Sequence, residues 1–213
     1  MTTRRVKSPA KASPVRKPAR RHSAGDGHHT ALVLQGGAAL GAYEAGVLQA
    51  LLESGRRIDI VTGCSIGALM AAIVVGSRGD PLATLRDMWQ RFAMPVNPFL
   101  PNLFASSLPM PGSGNVYRPN PVWLTMPTLA THMYENAPLA AALQQWVDFD
   151  RLNASSVEVI VTAVEVKGGH LAEFSNHRDG LTVGHIVASA SLPPVFPATA
   201  IDGGEYWDGG LIA

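Results

Sequence analysis

A serine flanked by glycines is the first candidate for chemistry in this chain of 213 residues. The segment reads Gly63-Cys64-Ser65-Ile66-Gly67, a G-x-S-x-G between an apolar run and a stretch of small apolar residues. This pattern between a strand and a helix is typical of a nucleophile elbow, whose sharp turn exposes the serine hydroxyl. The glycines fit because the turn leaves no room for a Cβ. Ser65 is the predicted nucleophile, whereas Cys64 occupies the variable position and is expected to point away from the site.

A second glycine-containing turn follows an earlier apolar run. It reads Gln35-Gly36-Gly37-Ala38-Ala39-Leu40-Gly41. It lacks the Gly-Lys-Ser/Thr ending of a phosphate-binding loop, and its glycine spacing is not the G-x-G-x-x-G of dinucleotide-binding folds. Two interpretations remain. The turn serves packing alone, or it is an oxyanion loop whose backbone N–H groups stabilise the negative oxygen of an acyl-transfer intermediate.

The serine hydroxyl needs a proton acceptor within about 3 Å. Asp208 is the candidate, in the late segment Asp208-Gly209-Gly210. No histidine follows it, so the order Ser, Asp, His of α/β-hydrolases cannot be completed. Four upstream histidines are expected to be surface or packing residues: His132, His170, His177 and His185. A dyad of Ser65 and Asp208 remains, in which desolvation would raise the pKa of Asp208 and make it a better base. The alternative is an ordinary Asp-Gly turn.

The elements that must position these residues alternate between strands and helices. Apolar runs predict strands at 31–35, 58–62, 157–166 and 170–175, and a hairpin near the C-terminus. Helical spacing of apolar residues predicts helices at 38–54, 66–76, 81–93, 138–147 and 182–191. This alternation predicts an α/β fold with a parallel sheet.

Charge divides the chain into a tail and a body. Residues 1–29 carry eight basic side chains and one acidic side chain, and residues 30–213 carry nine basic and fifteen acidic ones. The tail also contains three prolines and few large apolar residues, so it is expected to be disordered, with one domain over 30–213. The tail lacks the apolar stretch of a secretory signal. It is expected either to adhere weakly to anionic membrane or nucleic acid, or to have no specific role.

Composition excludes several classes of protein. Charged residues make up 15% of the chain, which favours a well-buried protein over a disordered one. One cysteine excludes a disulfide framework and a multi-cysteine zinc site. The apolar runs are far shorter than the roughly 20 residues that span a bilayer. Residues 94–127 contain eight prolines among aromatic residues and methionines, which predicts either a lid or lipid-facing loop or a packed surface loop.

The three candidate segments, in this order, resemble the patatin-like phospholipase family. Residues 32–48 look like its oxyanion loop and first helix, and residues 188–197 and 206–210 look like its approach to the catalytic aspartate. The specific likeness covers about residues 31–76 and 182–212. It implies a three-layer α/β/α fold with a central, mostly parallel sheet and helices on both faces. It also implies a Ser65 nucleophile, an Asp208 base, oxyanion-hole amides at Gly36, Gly37 and Ala38, and no metal or cofactor.

Three departures from the family pattern stand out. Ala38 stands where the family usually has a third glycine, and alanine would cost about 1 kcal/mol or more if the position needs a positive φ. Leu40 stands where the family often has Arg or Lys. The chain stops three residues after Gly210, so we expect a fragment truncated at its C-terminus.

The predicted function is hydrolysis of phospholipid or lysophospholipid esters by a serine acyl hydrolase. The alternative is a catalytically weak or inactive remnant that binds lipid or membrane, and a nucleotide-binding domain is disfavoured by the failed phosphate-loop spacings. The expected partner is an acyl-ester substrate, with peripheral membrane contact and no nucleic acid. One cysteine and no signal favour a cytoplasmic location.

Overall fold

The computed structural model describes residues 29–93, 116 and 118–212. Residues 1–28 of the predicted tail lie outside the described residues, and so do residues 94–115 and 117 of the predicted lid loop. The roles predicted for those stretches stay predictions.

A six-stranded mixed sheet forms the centre of the molecule. Its strands are β1 (Ala31–Leu34), β2 (Ile60–Cys64), β5 (Glu158–Glu165), β6 (His170–Ser175), β7 (Thr199–Ile201) and β8 (Gly204–Asp208). The order is β1-β2-β5-β8-β7, and β6 pairs with β5. Strands β1, β2 and β5 are parallel, whereas β8 and β6 run antiparallel to β5, and β7 runs antiparallel to β8. Two short strands, β3 (Arg118–Pro119) and β4 (Tyr134–Glu135), form a separate antiparallel pair.

Seven helices accompany these strands in the described ranges. They are α1 (Gly41–Glu53), α2 (Ile66–Gly76), α3 (Pro81–Phe92), α4 (Pro121–Thr125), α5 (Ala137–Trp146), α6 (Phe149–Asn153) and α7 (Val183–Ser189). Short 3-10 turns lie at Ala38–Leu40 and Gly209–Leu211. None of the helices in the described ranges is long and apolar enough to cross a membrane.

Two short helices were not predicted from the sequence. Helix α4 lies in a stretch predicted to be loop, and Asn120 begins it by accepting a hydrogen bond from the Val122 N–H, 2.9 Å away. Helix α6 begins where Asp148 accepts from the Arg151 N–H at 3.1 Å. Both helices are too short to show an apolar period, so their capping residues are the local sequence signal that indicates them.

Helix α2 carries the centre of the core. Nine of its eleven residues are buried, as expected for a helix that is apolar on all sides. It packs against β1, β2 and β5, where Val61, Val159 and Val161 are fully buried. Each fully buried side chain such as Ile73 contributes roughly 1.5–3 kcal/mol. The start of α2, where the predicted nucleophile lies, is therefore held rigidly against the sheet.

The register of β5 brings two chain segments together. Strand β2 pairs with β5 up to Cys64, which lies opposite Thr162, and β8 ends at Asp208, which lies opposite Ala163. Strand β6 already occupies the other edge of β5 along this stretch. Strand β8 must therefore lie on the same edge as β2, and the carboxyl ends of β2 and β8 meet there.

Candidate active site

Ser65 lies in a sharp turn between β2 and α2. Its backbone has φ 54° and ψ −124°, a conformation that costs a residue other than glycine about 1–3 kcal/mol and clusters at functional sites. A Cβ at Gly63 would lie 2.5 Å from the Gly67 carbonyl oxygen, and a Cβ at Gly67 would collide with the Leu34 carbonyl. Both glycines of the motif are therefore required by close backbone packing. The Ser65 side chain does not cap α2, which leaves its hydroxyl available for other contacts.

A second serine holds the elbow in place. The Ser65 N–H donates a hydrogen bond to the Ser189 hydroxyl, 3.0 Å away. Ser189 is fully buried at the end of α7. Ser189 lies in the family-like stretch 188–197, but no role was predicted for it, because nothing local indicates which hydroxyl contacts the elbow.

Asp208 is buried beside Ser65, with 3% of its surface exposed. Its Oδ1 accepts a hydrogen bond from the Gly210 N–H at 2.8 Å. Burial raises the pKa of this carboxyl, and hydrogen bonds from Ser65, from the Gly210 N–H and from Cys64 partly offset that rise. The structure thus brings Ser65 and Asp208 into the wall of one cavity, and burial favours an aspartate that binds a proton more readily than an exposed one.

The expected direction of Cys64 was wrong. Its side chain points into the site, with Sγ 3.8 Å from Asp208 Oδ1. The physical reason is the register of the sheet, since β8 ends directly beyond the end of β2 and places Asp208 against the last residue of that strand. Burial raises the pKa of the Cys64 thiol, an interaction with the Thr162 side chain lowers it in part, and the neighbouring Asp208 raises it.

The glycine turn at residues 35–38 lies against the elbow. A Cβ at Gly36 would lie 3.2 Å from the Cβ of Ser65. Gly37 has φ 143° and Ala38 has φ 49°. The N–H groups of Gly36 and Gly37 donate to no acceptor in the part of the chain that the structure describes. These amides are therefore uncommitted and lie beside Ser65, as an oxyanion loop would require.

The turn is tied to the helix that follows it. The Gln35 N–H donates to Glu44 Oε1 at 3.1 Å, across the first turn of α1. The positive φ of Ala38 confirms that this position has the conformation that favours glycine. The alanine at this position therefore carries backbone strain of about 1 kcal/mol or more.

Ser65, Cys64, Asp208 and the turn at residues 35–38 line one cavity of about 750 Å³. Ser65, Asp208 and Gly36 form part of its wall. The remainder is mainly apolar and includes Leu69, Phe92, Leu139, Leu192, Val195 and Phe196. Among the described lining residues, Asp208 is the one with a charged side chain. The cavity therefore suits an apolar chain whose reactive group lies beside the serine.

The four histidines lie away from this cavity. His185 is buried, and its Nδ1 accepts a hydrogen bond from the Thr182 N–H at 3.0 Å at the start of α7. Burial lowers the pKa of His185. His177 contacts the Ser155 carbonyl through Nε2 at 3.0 Å. Packing and capping thus account for these two side chains. Within residues 29–93 and 118–212, no three His, Cys, Asp or Glu side chains are grouped so that they could hold a metal ion.

Fold and site together define a class of protein. It is an α/β protein with a serine at a strand-to-helix elbow, a buried aspartate next to it and a glycine turn with uncommitted amides. Comparison with known proteins identifies the family. The chain belongs to the patatin-like phospholipase family, since the sequence model of that family matches residues 32–213.

Several curated proteins are similar to shorter parts of the chain. A patatin-like phospholipase domain-containing protein of Neurospora crassa is 50% identical over 56 residues, covering 26% of this chain and 6% of that protein. Patatin-like phospholipase domain-containing protein 7 of Mus musculus is 43% identical over 60 residues, covering 28% of this chain and 4% of that protein. Neuropathy target esterase sws of Drosophila persimilis is 47% identical over 58 residues, covering 27% of this chain and 4% of that protein. The matches thus span a small part of each relative.

The fold is also similar to a solved structure. The crystal structure of VipD from Legionella pneumophila matches with a TM-score of 0.50 and 17% sequence identity, covering 87% of this chain and 46% of that one. The predicted three-layer α/β/α patatin-like fold is confirmed by this likeness and by the family match. The boundary between tail and domain and the predicted C-terminal truncation stay predictions.

Proposed function

We propose that this chain is a serine acyl hydrolase that cleaves phospholipid or lysophospholipid esters. Membership of the patatin-like phospholipase family supports lipid ester hydrolysis in general. The observation that carries the finer proposal is that Ser65 and Asp208, two residues far apart in sequence, share the wall of one apolar cavity in which Asp208 is buried.

The proposed reaction has two steps. The Ser65 hydroxyl attacks the ester carbonyl while Asp208 accepts its proton, and the amides of Gly36, Gly37 and Ala38 stabilise the negative oxygen that forms. The intermediate collapses, the ester C–O bond breaks, and the departing alcohol takes the proton from Asp208. Water then attacks the acyl-enzyme, giving its proton to Asp208, and the fatty acid leaves as Ser65 regains a proton.

The cavity indicates which part of the substrate it holds. Its apolar wall suits an acyl chain, and no Lys or Arg lines it among the described residues to bind a phosphate. We therefore expect the head group to remain outside the cavity. Leu40, Tyr43 and Val47 are exposed apolar side chains on the turn and helix next to the oxyanion loop. They support the proposal of peripheral contact with a lipid surface, whereas the proposed cytoplasmic location rests on the sequence alone.

The second candidate is a lipid-binding remnant with little or no activity. Two features of the loop that would stabilise the oxyanion favour this candidate. Ala38 has a strained backbone, and position 40 carries leucine instead of a basic side chain. The two candidates differ in one property, the chemical activation of the Ser65 hydroxyl.

Covalent labelling with a fluorophosphonate probe and peptide mapping tests that property. We expect labelling at Ser65, none in Ser65→Ala, and a rate lower by about 10²–10⁴ in Asp208→Asn, the range of a general base. Ser54→Ala changes an exposed serine outside the cavity and is the matched control, with labelling unchanged. Absence of labelling in a chain that circular dichroism shows to be folded would refute the hydrolase and favour the remnant.

A further inference from the structure

The thiol of Cys64 lies where the three parts of the site meet. Its Sγ is 3.8 Å from Asp208 Oδ1. A Cβ placed on Gly36 would lie 3.8 Å from this sulfur, and one placed on Gly210 would lie 3.9 Å from it. The thiol therefore separates the oxyanion loop from the turn that follows Asp208, and it forms part of the cavity wall.

Two donors converge on one oxygen of the predicted base. Asp208 Oδ1 accepts from the Gly210 N–H at 2.8 Å and lies within sulfur hydrogen-bond distance of Cys64. We propose that Cys64 is a positioning residue, whose S–H together with the Gly210 N–H holds Oδ1 so that Oδ2 faces the hydroxyl of Ser65. This inference rests on the proposed function, because it assigns Asp208 as the base.

The thiol is suited to donate because it keeps its proton. Burial raises the pKa of Cys64, so the neutral S–H form is favoured next to the carboxylate. A thiolate at this distance would repel Asp208 instead. The titratable side chains that line the cavity in the described part of the chain are Cys64, Tyr134 and Asp208. Since no Lys, Arg or His is among them, the hydrogen bonds to Asp208 are what oppose the effect of its burial on its pKa.

Infrared spectroscopy tests this hydrogen bond without any need for activity. The chain has one cysteine, so the S–H stretching band reports Cys64 alone. We expect the band to move to lower wavenumber as the pH rises from acid to neutral, because the Asp208 carboxylate is a stronger acceptor than its protonated form. In Asp208→Asn the pH dependence should disappear. A band that stays at one position in the unmodified chain, or that moves equally in Asp208→Asn, would overturn the proposal.

Kinetics with p-nitrophenyl butyrate provides the second readout. Ala and Ser differ by one hydroxyl, so Cys64→Ala removes the donor and Cys64→Ser replaces it. A weak hydrogen bond is worth a fraction of a pKa unit, so Cys64→Ala should shift the acid limb of kcat/KM up by roughly half a unit, a loss of about threefold on that limb. Cys64→Ser should bring the limb back. Equal profiles in the two variants would contradict positioning by a donor. If the unmodified chain proves inactive, the proposed function fails, while the infrared titration still decides the role of Cys64.

Discussion

Replacing Ala38 by glycine should be far less harmful than replacing its neighbour. Ala38 and Ala39 are both exposed and lie in the same 3-10 turn, but only Ala38 has a positive φ, of 49°. A left-handed conformation costs an L-residue about 1–2 kcal/mol, and glycine loses about 0.5–1 kcal/mol more conformational entropy on folding than alanine. For Ala38→Gly the two effects oppose each other, whereas Ala39→Gly has only the cost.

The expected free energies of unfolding follow from this difference. Ala38→Gly should leave stability unchanged or raise it by up to about 1 kcal/mol, and Ala39→Gly should lower it by about 0.5–1 kcal/mol. The two variants should therefore differ by roughly 1–2 kcal/mol in urea denaturation, with similar slopes. An equal loss of stability in both variants would refute the argument, because it would mean that Ala38 carries no strain.

Three further predictions concern stability. Burial raises the pKa of Asp208, so the folded state binds its proton more tightly than the unfolded state does, and this group lowers stability as the pH rises through that pKa. Asp208→Asn should therefore be more stable than the unmodified chain at neutral pH, and the difference should vanish in acid. Gly63→Ala should lower the free energy of unfolding by several kcal/mol and abolish labelling of the elbow. Its control is Gly46→Ala, inside α1, where an added Cβ has nothing within 4 Å; this variant should gain up to about 1 kcal/mol in thermal or urea unfolding. Burial lowers the pKa of His185, so the unfolded state takes up a proton first as the pH falls below about 6.5, and stability declines there. His185→Gln should flatten this part of a curve of stability against pH, because glutamine does not titrate and can still accept a hydrogen bond from Thr182.

Features that depend on neighbouring residues could be predicted from the sequence. Helix α2 has the predicted bounds of 66–76, because an apolar run of 11 residues is longer than a typical strand and is buried as a helix. Strand β6 has the predicted bounds of 170–175. The glycine at position 63 also follows from local sterics, since a Cβ there would meet the backbone of Gly67. The positive φ of Ala38 was expected only from the family resemblance. Short capped helices such as α4 lack this periodic signal and were missed.

The sequence by itself determined the family, the fold class and the residue types that could do chemistry, because hydrophobic periodicity and turn sterics are properties of adjacent residues. Only the tertiary structure decided which of these residues meet. The pairing of β8 on the same edge of β5 as β2 places Asp208 against Ser65, and it turns Cys64 toward the site. The physical reason is that strand register depends on partners distant in sequence, and a side chain at a strand end points where that register directs it.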